Sequence, residues 1–164
     1  MLKQDDPKKC TAAKLVKFGL AKPISQTTSR TLVLDPFSKK MLLKSDKKLV
    51  NSITGVDCSW NLTTTVFDKT FSGISRRLPP LLAGNPVNYS KLNKLTTVEA
   101  LAAAVYIMGD FTLASLLLDK FKWGHTFYTL NENLLKDYCK AESESNIFEI
   151  CDEYGLARST MTDI

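Results

Sequence analysis

The sequence has few of the residues from which metal sites and common catalytic sites are built. It contains one histidine, His125, and its four cysteines stand at positions 10, 58, 139 and 151. No two cysteines have the C-x-x-C spacing of a zinc or redox site, and one histidine cannot complete a histidine-rich site. The G-x-S-x-G, P-loop and H-E-x-x-H motifs are also missing. We therefore expect reduced cysteines, as in a cytoplasmic or nuclear protein, and no metal.

Long apolar runs are missing as well. The longest run covers residues 100–108, nine residues, whereas a membrane-spanning helix needs about 20. The first ten residues, MLKQDDPKKC, are charged and lack the apolar segment of a signal peptide. We expect no membrane association and no secretion.

The residues that are present suit one folded domain. The chain has 164 residues, of which 44% are apolar and 24% are charged, close to the averages for globular proteins. Residues 1–48 carry 12 Lys+Arg against 4 Asp+Glu, whereas residues 123–164 carry 3 against 8. The basic end favours a polyanionic partner such as RNA, with the acidic end facing away, although a solvated lysine face explains the same pattern equally well.

The first half of the chain shows strand signals separated by loops. Apolar runs predict strands at 31–34, 53–56 and 81–83. A helix is expected at 12–19, capped by Thr11 and ending near Gly19, with a short helix at 47–51.

The second half is predicted to be helical. Thr96 and Glu99 have the spacing of a capping box, and the helix they begin is expected to end at Gly109. Asp110 is expected to open a helix at 111–122 that ends at Gly124, and two amphipathic helices follow at 131–139 and 146–154. This order indicates an α/β sheet with flanking helices and a helical C-terminal part.

Loops rich in polar and aromatic residues adjoin the predicted strands, at residues 57–60, 76–80 and 84–89. Ligands of open α/β sheets bind at the carboxyl ends of strands. Trp60 in the first of these loops suits a flat or sulfonium-bearing ligand, and equally suits a core position. Cys58 follows Asp57, but no histidine is near in sequence to activate the thiol.

Five motifs occur in order along the chain: DPKKCT at 6–11, VDCSW at 56–60, NPVNY at 85–89, KLTTVEA at 94–100 and KFKWG at 120–124. Over about residues 5–138 the chain closely resembles the small-subunit rRNA aminocarboxypropyltransferase family of archaea and eukaryotes. The resemblance implies a SPOUT-like fold with a trefoil knot, in one domain over residues 1–158 (an α/β part to about 80, then a knotted, helical part), with a polar tail at 159–164. It also implies S-adenosylmethionine as cofactor.

The implied activity is transfer of the 3-amino-3-carboxypropyl group to a modified uridine, N1-methylpseudouridine or pseudouridine, in small-subunit rRNA during ribosome biogenesis. Carried over by motif, Thr11 and Thr97 would hold the cofactor's carboxylate, Val56 its ribose, and Leu78 and Asn93 the adenine edge through backbone groups. Trp60 would shield the methyl group, with Thr63 lining the same pocket. The adenine would be walled by Leu34, Pro36, Leu95 and Ala100.

The remaining expectations concern proton removal and RNA. Asp57 is the nearest candidate base, although an ordinary aspartate pKa of about 3.9 makes a weak base and a structural hydrogen bond explains the residue better. Contacts with rRNA in the pre-small subunit are expected from Lys8, Lys9, Arg76, Arg77, Lys91 and Lys94. We expect a monomer. Two other functions remain open: a SPOUT rRNA methyltransferase and a non-catalytic pre-rRNA-binding assembly factor.

Overall fold

A computed structural model describes residues 10–55 and 71–156. Its sheet has three parallel strands in the order β2-β1-β3: β1 is Thr31–Leu34, β2 is Ser52–Gly55 and β3 is Ile74–Arg76. Leu34 is in register with Gly55 on one side and with Arg76 on the other. The carboxyl ends of the three strands therefore share one edge of the sheet.

The central strand is the most enclosed. All four residues of β1 are buried, which fits a short run of β-branched and leucine residues in the middle of a parallel sheet. Asp35 and Pro36 follow directly, and proline cannot donate the hydrogen bond that would continue the pairing. The strand predicted at 31–34 is confirmed, and the one predicted at 53–56 is confirmed one residue earlier.

Five α-helices and one short 3-10 helix are described. They are α1 Thr11–Lys17, η1 (3-10) Lys44–Lys48, α2 Thr97–Ile107, α3 Phe111–Leu118, α4 Gly124–Tyr138 and α5 Glu144–Glu153. None of the helices in the described ranges is long and apolar enough to cross a membrane.

Helix α2 is the centre of the molecule. It packs against α1, β2, α3 and α4, and residues 102–108 are all buried. Thr96 caps it, with Oγ1 accepting from the Glu99 amide at 3.4 Å, so the predicted capping box is confirmed. The helix ends at Ile107, just before Gly109 at φ +92°, which confirms the predicted stop. Alanines at 102–104 let neighbouring elements approach the helix closely.

The strand predicted at 81–83 is wrong, and the third strand, Ile74–Arg76, was missed. Residues 81–83 are apolar, with Leu81 and Ala83 buried and Leu82 half-buried, but they lie outside the three-stranded sheet. Their backbone pairs with residues 90–93 through an isolated antiparallel bridge between Leu82 and Leu92. Asn131 also binds it: Nδ2 donates to the Leu82 carbonyl at 2.7 Å, and Oδ1 accepts from the Leu82 amide at 2.8 Å. Such long-range pairing has no signal in a local pattern.

Several helix boundaries also differ from the predictions. Cys10 caps α1, because its Sγ accepts from the Ala13 amide at 3.4 Å, and Thr11 is the first helical residue. Gly124 begins α4 rather than ending the preceding helix, and α3 already stops at Leu118. A Cβ on Gly124 would lie 2.0 Å from the Leu118 carbonyl oxygen. The glycine is therefore needed for close packing of the two helices, and its role as a stop signal was misread. The predicted short helix at 47–51 is found at Lys44–Lys48.

Candidate functional site

The candidate site lies at the carboxyl edge of the sheet, where the loop after β1 is firmly held. The Asp35 amide donates to the Arg76 carbonyl at 2.9 Å. Asp35 Oδ2 accepts from Ser75 Oγ at 2.9 Å, and Oδ1 accepts from the Phe37 amide at 2.9 Å. These bonds fix the path of the chain past Pro36, directly beyond the buried end of β1.

The N-terminus of α2 meets the same edge. A Cβ placed on Gly55, the last residue of β2, would lie 3.1 Å from Thr97 Cγ2, which is tighter than most real Cβ contacts. The missing side chain at Gly55 therefore lets the first turn of α2 sit directly beside the end of the strand.

The N-terminus of α1 reaches the same point. The buried Thr11 accepts at Oγ1 from the Val98 amide at 3.4 Å. The Glu99 amide is bound by Thr96, and within the described ranges no partner is found for the Thr97 amide. Two helix N-termini thus converge, and among the described residues the Thr97 amide is left as a donor for an anionic group.

Glu99 holds the neighbouring loop against this turn. Its carboxylate is fully buried and accepts five hydrogen bonds. Oε1 accepts from the amides of Gly84 at 2.7 Å and Asn85 at 3.0 Å. Oε2 accepts from Asn85 Nδ2 at 2.9 Å, and from the Thr96 amide at 2.7 Å and Thr96 Oγ1 at 2.8 Å. A buried carboxylate is stable only when it is satisfied in this way.

Four of the apolar candidate residues belong to the core or pack against it. Leu34 and Leu95 belong to the buried core, while Leu78 and Ala100 pack against it partly exposed. Leu34 ends the central strand, and Ala100 is one helical turn from Thr97. Such a set of side chains suits the flat, apolar face of a purine.

Asn93 has an unusual backbone conformation, with φ +59°, which asparagine tolerates better than most residues. Its amide donates to the Leu81 carbonyl at 2.9 Å, and its Oδ1 accepts from the Leu81 amide at 3.3 Å. Since the amide is already used, backbone contact with a ligand at Asn93 would have to use the carbonyl group.

Arg76 and Arg77 both bind protein groups. Arg76 Nη2 lies 2.9 Å from Asp46 Oδ1, and Nε donates to Asp46 Oδ2 at 3.1 Å. Arg77 Nη1 donates to the Ser38 carbonyl at 2.9 Å. The two arginines thus tie β3 to η1 and to the loop after β1, and their contact with RNA stays a prediction. Lys91 and Lys94 are exposed near the candidate site.

Six predicted site residues lie outside the described residues: Lys8, Lys9, Val56, Asp57, Trp60 and Thr63. Of the remaining candidates, the structure brings Thr11, Thr97 and Leu34 to one edge of the sheet. Gly55 was not predicted from the sequence, and Glu99 was recognised only as a helix cap. The bonds from Glu99 to Gly84 and Asn85 span 14–15 residues, beyond the reach of a local motif.

Comparison with known proteins places the chain in a family. The sequence profile of the ribosome biogenesis protein C-terminal family matches residues 32–155. A 16S rRNA aminocarboxypropyltransferase of Methanococcoides burtonii is 43% identical over 157 residues, covering 93% of this chain and 90% of the relative. The chain belongs to the 16S rRNA aminocarboxypropyltransferase family. Another member, from Thermoplasma acidophilum, is 45% identical over 150 residues, covering 87% of this chain and 89% of the relative.

The fold of this family member also matches a solved structure. The SAM-dependent rRNA:acp-transferase Tsr3 from Vulcanisaeta distributa superposes with a TM-score of 0.83 and 36% sequence identity, over 98% of this chain and 92% of that one. The predicted α/β class with flanking helices is thereby confirmed.

A short second match covers residues 2–26, described as a possible Fer4-like domain in RNase L inhibitor. Those residues include one cysteine, Cys10, whereas an iron–sulfur cluster is usually held by four thiolates. Residues 2–26 alone therefore do not contain the usual ligand set of such a cluster.

Proposed function

We propose that this protein transfers the 3-amino-3-carboxypropyl group of S-adenosylmethionine to the imide nitrogen of N1-methylpseudouridine or pseudouridine in small-subunit rRNA during ribosome biogenesis. The observation that carries the proposal is the meeting of the α1 and α2 N-termini at the carboxyl edge of the sheet, through the 3.4 Å bond from the Val98 amide to Thr11. Relatives that cover most of the chain are 16S rRNA aminocarboxypropyltransferases.

The described residues fit the amino-acid end of this cofactor. A carboxylate needs N–H or hydroxyl donors in a positive field, and the start of α2 offers the Thr97 amide and hydroxyl beside the Thr11 side chain. Gly55 leaves the space beside Thr97 clear of a Cβ. We assign Thr11 and Thr97 to the carboxylate.

The adenosine end is assigned to the neighbouring apolar residues. Backbone groups of Leu78 and the Asn93 carbonyl would meet the adenine edge, and Val56 would offer its carbonyl to the ribose. The adenine faces would be walled by Leu34, Pro36, Leu95 and Ala100. This assignment is supported by the core position of Leu34 and Leu95 beside the helix starts.

When bound, S-adenosylmethionine supplies an electrophilic carbon next to its sulfonium. The sulfonium bears three carbons, so the residues of the pocket decide which of them faces the incoming nitrogen. We assign the shielding of the methyl group to Trp60 and Thr63, which leaves the aminocarboxypropyl arm exposed. Orientation of this kind is worth about 7–11 kcal/mol in good cases. Attack by the imide nitrogen on the electrophilic carbon would break the bond from that carbon to sulfur, methylthioadenosine would leave as a neutral thioether, and Asp57 is the candidate to accept the imide proton.

The substrate and the wider setting follow from the same proposal. The rRNA backbone would be bound by Lys8, Lys9, Arg76, Arg77, Lys91 and Lys94. We further propose a single domain over residues 1–158 with a trefoil knot, a monomer, and a cytoplasmic location, or a nuclear one in a eukaryote.

The direct test uses isolated small ribosomal subunits and S-adenosylmethionine labelled in its carboxyl group. Label should enter the rRNA, because the carboxyl carbon travels with the aminocarboxypropyl group. With methyl-labelled cofactor the rRNA should stay unlabelled. Label entering only from the methyl group would show a methyltransferase, and no transfer together with no cofactor binding by calorimetry would show a non-catalytic assembly factor.

The role given to Trp60 has its own test. Trp60→Ala should weaken cofactor binding more than Asp57→Ala does, because the proposal assigns the indole to the cofactor's methyl group and Asp57 only to the proton of the target nitrogen. Isothermal calorimetry with both variants measures the difference. A larger loss in Asp57→Ala would contradict the assignment.

A further inference from the structure

A basic groove lies at the C-terminal end of α2, away from the N-terminal end that faces the candidate site. We call it the η1–α4 groove, because η1 and the end of α4 form its sides and Tyr106 and Phe111 also line it. It encloses about 840 Å³. Lys44 places its Cε 3.5 Å from where a Cβ on Gly109 would lie, so η1 adjoins the end of α2. At about 1.5 Å per residue, the groove is about 15 Å from Thr97 along the helix.

The groove collects positive charge from two distant parts of the chain. Lys44, Lys47 and Lys48 come from η1, and Lys136 and Lys140 come from the end of α4. Lys136 is paired with Glu132 at 2.6 Å and Lys140 with Asp137 at 3.6 Å, but both pairs are exposed and weak. Among the groove-lining residues one carboxylate is found, that of Glu142.

The lysines of η1 are not neutralised by the aspartate between them. Asp46 is buried and faces inward, where its carboxylate binds Arg76 and accepts from the Leu43 amide at 3.0 Å. Lys44, Lys47 and Lys48 are exposed, and within the described ranges they have no acidic partner. The outer face of η1 therefore presents three lysine cations, because the one nearby carboxylate, that of Asp46, is paired with Arg76.

An exposed aromatic ring completes the groove. Phe111, the first residue of α3, is 50% exposed. Its ring centroid lies 4.6 Å from that of Tyr106. Lysines beside an exposed ring are the features with which proteins hold single-stranded nucleic acid, since cations track the phosphates and rings stack on bases.

We propose that the η1–α4 groove binds a single-stranded segment of the RNA substrate next to the target nucleotide, with the η1 lysines on phosphates and Phe111 stacked on a base. The identity of this RNA as substrate rests on the proposed function. RNA bound both there and at the candidate site would cross the protein surface between the two ends of the buried helix α2, which would help to select the target by its flanking nucleotides.

The charge contribution is tested by the double variant Lys44→Gln/Lys47→Gln, with Lys17→Gln/Lys22→Gln as a control that loses the same charge from exposed positions on and after α1. Fluorescence anisotropy measures binding of a labelled single-stranded oligouridylate at several salt concentrations. The groove variant should bind about tenfold more weakly, and its salt slope should fall by about 1.4, since each phosphate that is no longer neutralised lowers the slope by about 0.7. The control should keep the slope of the unmodified protein. Equal losses in both variants would overturn the proposal.

The stacking contribution is tested by Phe111→Leu, with Phe18→Leu as the control, since Phe18 is 45% exposed and lies outside the groove. Leucine keeps an apolar side chain but cannot stack, so affinity should fall about fivefold or more in the groove variant alone. Unchanged affinity in Phe111→Leu, together with displacement of the oligouridylate by polyglutamate, would show a site for acidic proteins and overturn the proposal.

Calorimetry with S-adenosylmethionine separates this proposal from the preceding one. All four variants should bind the cofactor as the unmodified protein does, because the altered residues lie away from the candidate site. If the unmodified protein transfers no label to rRNA but the groove variants still lose RNA affinity, the groove is supported and the proposed reaction fails. If transfer occurs and the groove variants keep full RNA affinity, the groove proposal alone is wrong.

Discussion

Three buried side chains, Glu99, Asn131 and Tyr138, add hydrogen bonds to residues 80–85, whose backbone also pairs with residues 90–93. Tyr138 Oη donates to the Pro80 carbonyl at 2.9 Å, Asn131 binds both backbone groups of Leu82, and Glu99 binds the next turn. This segment carries the chain to the loop beside the candidate site. Single residues therefore decide whether the site keeps its shape.

Replacing Glu99 by glutamine should cost about 1–3 kcal/mol of unfolding free energy. One carboxylate oxygen becomes an NH2 group that faces the donors of Thr96, Gly84 or Asn85 instead of accepting from them. Urea unfolding followed by circular dichroism measures the change. Glu149→Gln, at an exposed position on α5, is the matched control and should stay within about 0.5 kcal/mol. Equal stability of both variants would contradict the role given to Glu99.

The raised pKa of Tyr138 predicts that the protein loses stability at alkaline pH. Burial, followed by the hydrogen bond with Cys151, raises the pKa of the Tyr138 hydroxyl well above its ordinary value. Above about pH 10 the unfolded chain therefore ionises this tyrosine while the native protein does not, so stability present at neutral pH is lost as pH rises.

Tyr138→Phe removes this pH dependence together with the bond to Pro80. The variant should be less stable by about 1 kcal/mol at pH 7, and the difference from the unmodified protein should shrink as pH rises above about 10. Urea unfolding at pH 7 to about 11 measures both effects. Tyr89→Phe, at an exposed position, is the control. A difference that stays constant with pH would contradict the assigned pKa direction.

At the scale of elements, the candidate site depends on the close approach of β2 and α2. Gly55→Ala would place a methyl group 3.1 Å from Thr97 Cγ2, and overpacking of this kind costs about 1–3 kcal/mol. If the first turn of α2 moves to relieve this close contact, cofactor affinity should fall about tenfold.

A second substitution shows whether that contact is the cause. Thr97→Ser removes the Cγ2 methyl group but keeps the hydroxyl, so in combination with Gly55→Ala it should restore most of the lost affinity. Calorimetry on the single and double variants forms the cycle. If the double variant binds the cofactor no better than Gly55→Ala alone, steric contact with Thr97 does not explain the loss.

Elements with a strong local signal could be predicted from the sequence, and those fixed by distant partners could not. Apolar residues followed by Asp35 and Pro36 located β1, and the capping box located the start of α2. Strand β3 was missed because its sequence, Ile-Ser-Arg, is neither apolar nor alternating, and it is held in the sheet by pairing with β1. The nearby segment Leu81-Leu82-Ala83 looked like a better strand, but its backbone is bound by Asn131 and by residues 90–93 instead of by the sheet.

At the scale of the whole molecule, charge is arranged differently from its distribution along the sequence. Residues 123–164 have a surplus of acidic groups, which predicted a face turned away from RNA. The structure places Lys136 and Lys140 of this acidic stretch beside η1 in one groove. Net charge of a segment cannot show this, because only the fold brings lysines from positions 44–48 and 136–140 together.

The candidate site was predicted chiefly through the order of five motifs. Thr11 and Thr97 stand 86 positions apart, and no periodicity links them. The structure adds the bond from the Val98 amide to Thr11, the clearance at Gly55 and the anchoring by Glu99, which are tertiary contacts. Together these contacts give a physical reason for an anion site at this edge of the sheet.

Mass spectrometry of the modified nucleoside tests the central claim most directly. Small subunits that lack the modification are incubated with the protein and S-adenosylmethionine, and the rRNA is digested to nucleosides. We predict one uridine derivative that gains the mass of an aminocarboxypropyl group, and no gain with Thr97→Val, which loses the hydroxyl beside the cofactor's carboxylate. A gain equal to a methyl group would contradict the account.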